Sequence, residues 1–243
     1  ISPNVSLAWR PGAWTLRGGY GEAFRAPSMM ELYADYSLAK KRRVGNPDLD
    51  AETSRTLEAA LGRRFGNGRV ELVVFHTDAE ELIEKYFVQT NPTIESYRHI
   101  DKAEIDGVEL TWHYRPAGTW QLNGSVEHLD ARDAETGEPL THRADFTIKM
   151  EASLRIGQGT YRLRMNHTQD YLGFDGITSN ETPYYSDFTS FDFRLDYRVA
   201  KPHTLFLGIN NLFDNEVPDN MEAGGSPYDP GARYVYGGLR TRF

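Results

Sequence analysis

The 243-residue chain contains no cysteine, so disulfides and thiol chemistry play no part in it. It has no apolar run approaching the roughly 18 residues of a membrane helix. Basic residues are outnumbered, with 27 Lys and Arg against 35 Asp and Glu, and the net charge of −8 argues against nucleic acid as a partner. The seven histidines show no metal-ligand spacing, and the acidic cluster Glu80, Glu81 and Glu84 has no partner that would mark a catalyst. We therefore expect no metal site, no cofactor and no enzyme.

Hydrophobic residues make up 39% of the chain, which is low for a soluble core of this size. A barrel that alternates lipid-facing and lumen-facing residues has this polar average. The aromatic content of 12%, with 14 tyrosines, suits interfacial girdles and equally a carbohydrate-binding surface. No signal peptide is visible and the chain begins at Ile1 without Met, so the sequence is expected to be a mature fragment.

The stretch 188–211 shows the clearest alternation in the chain. Apolar and charged residues fall on opposite parities, which is the signature of a strand with one apolar face. The strand alone is compatible with a soluble sandwich and with a membrane barrel. The apolar parity holds Phe191, Phe193, Leu195, Tyr197 and Val199, and the polar parity holds Asp192, Arg194, Asp196 and Arg198.

The lengths of the connections between strands decide between the sandwich and the barrel. About eleven strands are predicted, and every second connection is a short turn while the others are long. Short turns at one end and long loops at the other are typical of outer-membrane barrels, and Greek-key sandwiches do not segregate them so regularly. The expected long connections are residues 25–52, 89–95, 130–141, 172–187 and 214–231. The predicted fold is an all-β transmembrane antiparallel barrel, with this chain supplying about eleven strands, or half, of a roughly 22-stranded barrel.

An odd number of strands has a further consequence. If Phe243 lies at the periplasmic side, all short turns are periplasmic and Ile1 begins at the outer end of a strand. An open sheet would present unpaired backbone groups to lipid, at several kcal/mol per group. We therefore expect residues 1–243 to be the C-terminal portion of a larger barrel, whose other strands lie on the same or a companion chain.

Several segments resemble those of TonB-dependent outer-membrane receptors, in the family's order. Phe24-Arg-Ala-Pro-Ser-Met-Met-Glu-Leu-Tyr33 and Gly45-Asn-Pro-Asp-Leu49 resemble the family's Phe-Arg-Ala-Pro and Gly-Asn-Pro stretches, although Ala51 stands where Pro is usual. Ala103-Glu-Ile-Asp-Gly-Val-Glu109 and Asn210-Asn-Leu-Phe-Asp214 match further segments. Leu239 and the terminal Phe243 resemble the signal read by the barrel-assembly machinery, with Thr241 where an aromatic residue is common.

The resemblance implies an active-transport receptor of the Gram-negative outer membrane for a scarce nutrient, most often a ferric siderophore or similar metal chelate. Implied partners are the N-terminal half of the barrel, a plug domain, the TonB complex acting through that absent plug segment, lipid and lipopolysaccharide, and the barrel-assembly machinery. A passive porin-type barrel or a structural barrel subunit is the alternative, and a soluble lectin-like protein is a third reading.

Two groups of site residues follow. Cations and tyrosines in the long loops are candidates for an anionic or aromatic ligand, although solvated loops, lipopolysaccharide contacts and interfacial anchoring explain them too. These are Arg25, Tyr33, Tyr36, Arg42, Arg43, Tyr171, Tyr184, Tyr185 and Tyr228. Inward-facing polar residues are candidates for plug contact or for pairing across strands. These are His113, Arg115, Lys149, Glu151, Arg162, Arg164, Asp192, Arg194 and Asp196.

Overall fold

The computed structural model describes residues 2–38, 41–90, 92–116, 118–173, 183–218 and 232–241. These residues form a sheet of 13 strands and a short helix. The elements are β1 (Asn4–Trp9), β2 (Trp14–Arg25), α1 (Met29–Tyr33), β3 (Asp35–Leu38), β4 (Lys41–Val44), β5 (Glu52–Phe65), β6 (Gly68–Thr90), β7 (Thr93–Tyr114), β8 (Trp120–Asp133), β9 (Arg143–Ile156), β10 (Gly159–Gly173), β11 (Tyr184–Ala200), β12 (His203–Asn210) and β13 (Tyr234–Thr241).

Eleven of the strands form a continuous antiparallel wall. The order is β1-β2-β5-β6-β7-β8-β9-β10-β11-β12-β13, so each strand pairs with its neighbours along the chain once β3 and β4 are set aside. The wall does not close, since β1 and β13 each pair on one side within the described residues. This confirms the predicted all-β antiparallel wall and its strand number. Among the described residues, no helix is long and apolar enough to cross a membrane.

The strand register separates an apolar face from a polar face. Directly opposed residues in an antiparallel sheet lie on the same face. One cross-strand row runs through Leu16, Leu61, Leu72, Leu110, Val126 and Ile148. The neighbouring parity carries Thr15, Gly62, Glu71, Thr111, Ser125 and Lys149. The four leucines of the apolar row are exposed, with Leu61 and Leu72 at 44% and 40%, so this face requires a non-aqueous surrounding or a cover.

The connections alternate as predicted, with one exception. Residues 89–95 were expected to form a polar loop, but β6 continues to Thr90 and β7 begins at Thr93. The strand-favouring residues Tyr86, Phe87 and Ile94 lie in this part, and Arg98 on β7 pairs with Glu84 on β6 at 3.0 Å. The prediction of a long loop here was wrong. The hairpin instead continues past the end of the apolar band.

Aromatic rings occupy the side-chain positions of glycines on neighbouring strands, most closely at three places. Phe75 covers Gly107, Trp112 covers Gly124 and Tyr236 covers Gly208, and each pair is directly opposed in the register. A Cβ added at Gly107 would lie 2.1 Å from the Phe75 ring, and one at Gly208 would lie 2.2 Å from the Tyr236 ring. Glycine is therefore needed here because a neighbouring ring occupies the side-chain position.

Replacing Gly107 should test this packing. In Gly107→Val the Phe75 ring has to swing away, which we expect to destabilise the barrel by about 1–3 kcal/mol, the usual cost of overpacking. The measurement is the temperature at which the folded, fast-migrating form is lost in gel electrophoresis. Gly118→Val is the control, because nothing lies within 4 Å of a Cβ at Gly118. Equal loss temperatures for the two variants would refute the packing argument.

Candidate functional site

Helix α1 begins with a capping box in the long connection between β2 and β5. The Glu31 backbone N–H donates to Ser28 Oγ at 3.2 Å, and the Ser28 N–H donates to Glu31 Oε2 at 2.6 Å. Two N–H groups that a helix leaves without partners are satisfied in this way. The five-residue helix is therefore stabilised locally by the Ser-Met-Met-Glu part of the family motif.

Arg25 attaches this helix to the barrel wall. Its Nε and Nη2 donate to the Glu52 carboxylate at 2.5 and 2.7 Å, and its Nη1 donates to both oxygens of Glu31 at 3.1 and 3.0 Å. Burial would raise the pKa of Glu31, but hydrogen bonds from Arg25 and Ser28 outweigh it and the pKa lies below its usual range. The charge of Arg25, predicted to face a ligand, is thus compensated by two carboxylates.

The Gly-Asn-Pro segment fits against the other end of the helix. The Gly45 N–H donates to the Ala34 carbonyl at 2.6 Å, and a Cβ on Gly45 would lie 2.6 Å from the Leu32 backbone. Asn46 donates its N–H to the Glu31 carbonyl at 2.7 Å and its side-chain amide to the Tyr97 carbonyl at 3.1 Å. These bonds join α1 to the extended part of β7. We call α1, the β3–β4 hairpin and the outer parts of β6 and β7 (residues 80–102) the outer-loop assembly.

A buried carboxylate holds the β3–β4 hairpin on β7. Strand β4 pairs parallel with residues 93–95 of β7, and Glu95 is only 4% exposed. Arg43 donates to Glu95 Oε2 at 2.7 and 3.2 Å, while the ammonium groups of Lys41 and Lys85 lie 3.8 and 3.9 Å from Oε1. Burial alone would raise the pKa of Glu95, but the hydrogen bonds from Arg43 and the charges of Lys85 and Lys41 lower it.

The cations of the outer-loop assembly have further ion-pair and hydrogen-bond partners. Arg42 forms a two-point pair with Asp35 at 2.9 and 3.0 Å. Arg43 donates to the Tyr36 hydroxyl at 3.1 Å. Burial lowers the pKa of Lys85, and the positive charges of Arg43 and Lys41 lower it further. The negative charge of Glu95 partly offsets this decrease. The predicted basic cluster therefore builds the assembly itself. Its Lys40 lies outside the described residues.

The predicted tyrosines fall into different environments. Tyr33, Tyr36, Tyr184 and Tyr185 are exposed beside the loops. Tyr171 is 2% exposed and packs with Ala144 and Phe188, so the expectation that its ring faces a ligand is corrected to a core position. The reason is that β10 continues to Gly173 between β9 and β11, where Val217 also packs against this cluster. Tyr228 and Phe243 lie outside the described residues, and Leu239 is exposed on the apolar face.

A cavity of about 610 Å³ opens beside the outer-loop assembly, and the sequence patterns did not predict it. It lies between the extended β6–β7 hairpin and the connection of β8 to β9. Its walls include the carboxylates of Glu84 and Asp133 and the cation of Arg98, with Tyr86 beside them. The acidic composition of residues 130–141 indicated one wall of this cavity. The sequence did not indicate the other wall, because it did not predict that the β6–β7 hairpin extends far enough to face that loop.

The predicted inward-facing residues share the polar face. The register places His113, Asn123, Glu151, Arg164 and Asp192 in one cross-strand row. Within this face Arg164 pairs with Glu151 at 2.7 Å, Arg194 binds Asp196 at 2.9 and 3.0 Å, and Arg162 also binds Asp196. His113 bonds to Asn123, Arg115 donates to Gln121 at 2.9 Å, and Lys149 lies opposite Ser125 and Asn166. In the parts of the chain described here, no group of three or more acidic or histidine side chains could hold a metal ion.

Comparison with known proteins accounts for this arrangement. The family model described as "TonB dependent receptor-like, beta-barrel" matches residues 1–212. The chain belongs to this family. It is 28% identical over 238 residues to the iron-regulated outer membrane virulence protein of Vibrio cholerae serotype O1, a match that covers 89% of this chain and 36% of that protein. The chain thus spans about a third of the length of this curated relative.

Solved structures of the family have the same fold. The siderophore receptor PirA from Acinetobacter baumannii superposes with a TM-score of 0.75 at 20% identity, covering 100% of this chain and 41% of that one. The copper transporter OprC gives a TM-score of 0.74 at 17% identity, covering 98% and 38%. The chain is therefore part of a β-barrel of the Gram-negative outer membrane, in a family of transport receptors and not of enzymes. Its apolar face meets lipid and its polar face meets the lumen.

Acidification should loosen the hairpin from β7. Because the pKa of Glu95 is lowered in the folded protein, its stabilising contribution is complete above the unfolded-state value of about 4.3 and is lost as the pH falls through the lower folded-state pKa. Spin labels at Ser37 and Thr136 would report the docking distance as a function of pH. We expect a constant distance from neutral pH to about pH 5 and a broader distribution below about pH 4. The control Glu95→Gln should lose most of this pH dependence. An unchanged pH curve in that variant would contradict the assignment.

Substituting Gly45 should release α1 without affecting the barrel. In Gly45→Ala the new Cβ meets backbone atoms, which cannot rotate away, so the helix has to move. A loss of about 1–2 kcal/mol in local docking corresponds to a roughly 5- to 30-fold faster tryptic cleavage at the basic residues of β4. Gly118→Ala is the control. Cleavage at the rate of the unaltered protein would show that α1 does not depend on this contact.

Proposed function

We propose that this chain is the C-terminal portion of an outer-membrane receptor that binds a metal chelate, most often a ferric siderophore, and imports it with energy supplied through TonB. Membership of the TonB-dependent receptor family across residues 1–212 carries this proposal. The curated relative is iron-regulated, and the similar structures include a siderophore receptor and a ferric enterobactin receptor. The copper transporter among them is a reminder that one barrel serves ligands of different chemistry, so the ligand class rests on the loops.

The open edges of the wall support the proposal that further strands complete the barrel. Backbone groups facing lipid need partners within the protein. Strands β1 and β13 each have an unpaired side among the described residues, so the barrel requires further strands. In our proposal these bring the barrel to roughly 22 strands, and they come, with a plug domain, from the N-terminal half of the same protein or from a companion chain. The TonB complex then acts through the plug. Lipid, lipopolysaccharide and the barrel-assembly machinery contact the wall itself, the last through Leu239 and Phe243.

The outer-loop assembly is the proposed ligand-gripping part of this chain. It presents the exposed rings of Tyr33 and Tyr36, and Tyr184 and Tyr185 are the first two residues of β11. Tyrosine rings offer stacking surfaces and hydroxyl donors that suit a flat, oxygen-rich chelate. The guanidiniums of Arg43 and Arg42 hold the hairpin that carries Tyr36 in place, through the Tyr36 hydroxyl and the Asp35 carboxylate.

Chelate binding by the full-length receptor tests this proposal. Ferric catecholate, ferric hydroxamate and free Cu²⁺ would be titrated into detergent-solubilised receptor while tryptophan fluorescence is recorded. We expect a ferric chelate to bind and Tyr33→Ala with Tyr185→Ala to weaken that binding about tenfold, or 1.4 kcal/mol. Phe24→Ala, which removes an exposed ring from the outward-facing parity of β2, is the control.

Uptake separates the receptor from a passive barrel. Cells that produce the receptor should accumulate radioactive iron from the bound chelate, and collapse of the proton-motive force should stop the accumulation. Binding of none of the three probes, together with unselective passage of small solutes, would show a porin-type or structural barrel instead.

A further inference from the structure

Basic residues are concentrated at the end of the wall where the short turns lie. This short-turn end comprises the short turns, the strand residues that flank them and the end of β13, which are residues 9–14, 63–69, 113–116, 118–120, 155–159, 198–204 and 239–241. These residues include nine of the 27 Lys and Arg and none of the 35 Asp and Glu. The short turns of outer-membrane barrels lie on the periplasmic side, so this end meets the headgroups of the periplasmic leaflet. Its field attracts anions.

Aromatic rings mark the level of the membrane interface at the short-turn end. The rings on the parity of the apolar row, all of them exposed, include Trp9, Trp14, Phe65, Tyr114 and Trp120. A band of exposed aromatic rings near the strand ends is typical of the border between hydrocarbon and headgroups. A side chain on this parity and at this level is therefore within reach of phospholipid headgroups.

Arg63 is the cation of the short-turn end that shares the parity of these rings within a strand. The register places it between Trp14 on β2 and Val70 on β6, and Trp112 on β7 continues the row. Strand β5 ends two residues later at Phe65, so Arg63 lies about 7 Å along the strand from the end of the wall. An arginine side chain spans that distance, because its stem can follow the apolar surface while its charged group reaches the headgroups.

The Arg63 guanidinium is held in place without being neutralised. It lies 4.8 Å from the centre of the Trp14 ring, and this cation–π contact restricts the side chain. Among the residues that the structure describes, Arg63 has no salt bridge, since Glu58 and Glu71 lie on the lumenal parity and bind Arg17 at 3.2 and 3.4 Å. A charge on the lipid face without a counter-ion is costly, so an anion in the headgroup layer stabilises it. The planar N–H pairs of a stacked guanidinium match a phosphate.

We infer that Arg63 and Trp14 bind the phosphate of a phospholipid in the periplasmic leaflet, with a preference for headgroups of net negative charge. The guanidinium donates charge-assisted hydrogen bonds to the phosphate, and the acyl chains lie against the apolar row that includes Leu61 and Leu72. A headgroup that also carries an ammonium group is repelled by the basic short-turn end, whereas phosphatidylglycerol is not. The inference goes beyond transport. It rests on the part of the proposed function that places lipid against the wall, and on neither the plug nor the chelate.

Lipid binding to the full-length receptor tests this site. Delipidated receptor in detergent would be titrated with phosphatidylglycerol or with phosphatidylethanolamine, and bound lipid would be counted by native mass spectrometry. We expect phosphatidylglycerol to bind more tightly, and Arg63→Gln to weaken its binding about five- to tenfold. Arg64→Gln is the matched control, because it removes the same charge from the next residue, which lies on the lumenal parity, and it should weaken binding less than about twofold. Trp14→Leu keeps an apolar residue but removes the stacked ring, and should weaken binding about two- to fivefold.

Three results would overturn the inference. Equal weakening by Arg63→Gln and Arg64→Gln would leave only a general attraction to the short-turn end. Equal binding of the two lipids would remove the preference for negative headgroups, and inorganic phosphate that binds as tightly as the lipid would assign Arg63 to a free anion. If Arg63→Gln does not fold, as judged by heat-modifiable mobility, the comparison of Trp14→Leu with Arg64→Gln decides in the same way. Ferric chelate binding, measured on the same samples, should be equal in all variants, so a failure of the proposed function is detected separately.

Discussion

Backbone hydrogen bonding within the membrane is the constraint on which this structure depends. A peptide group in hydrocarbon has no water to bond to, so each strand has to pair along its length with a neighbour. The eleven-stranded wall meets this requirement between its edges with nearly continuous register. Irregularities occur where water is available. The left-handed conformations of Glu81, Asp170 and Asn211 lie at the long-loop end of the barrel, where the ladder is interrupted or ends.

The same pairing determines the division of labour between side chains. Once register is fixed, every residue is assigned to the lipid face or to the lumen, so Leu61 lies opposite Leu72 and Arg164 lies opposite Asp192. The lumen then becomes a polar surface that can hold a domain, and the strand extensions beyond the apolar band become supports for loops. Arg25 and Glu95 illustrate the second role, since each joins a loop element to a wall strand through a charge-assisted hydrogen bond.

The wall was predictable from the sequence because its signal is local. Period-two alternation and the recurrence of short turns require only neighbouring residues, and they led to the strand number and the two faces. The loops were not predictable in this way. Arg43 and Glu95 are 52 positions apart, and Asn46 and Tyr97 are 51 apart, so the parallel contact of β4 with β7 depends on long-range pairing. The Gly-Asn-Pro motif was visible as letters, but its reason, the close approach of the Leu32 backbone to Gly45, appears only in three dimensions. Tyr171 was misplaced for a related reason, because a tyrosine near a loop and a tyrosine in a core look alike in sequence.

Solvent accessibility along β11 tests the assignment of the two faces most directly. The chain has no cysteine, so single cysteines at residues 191–199 can carry spin labels without interference. In the assembled receptor in lipid, collision with oxygen, which concentrates in the bilayer, should peak at Phe191, Phe193, Leu195, Tyr197 and Val199 and fall at the positions between them. A profile without this alternation, or one with all positions equally accessible to a water-soluble quencher, would contradict a strand between lipid and lumen.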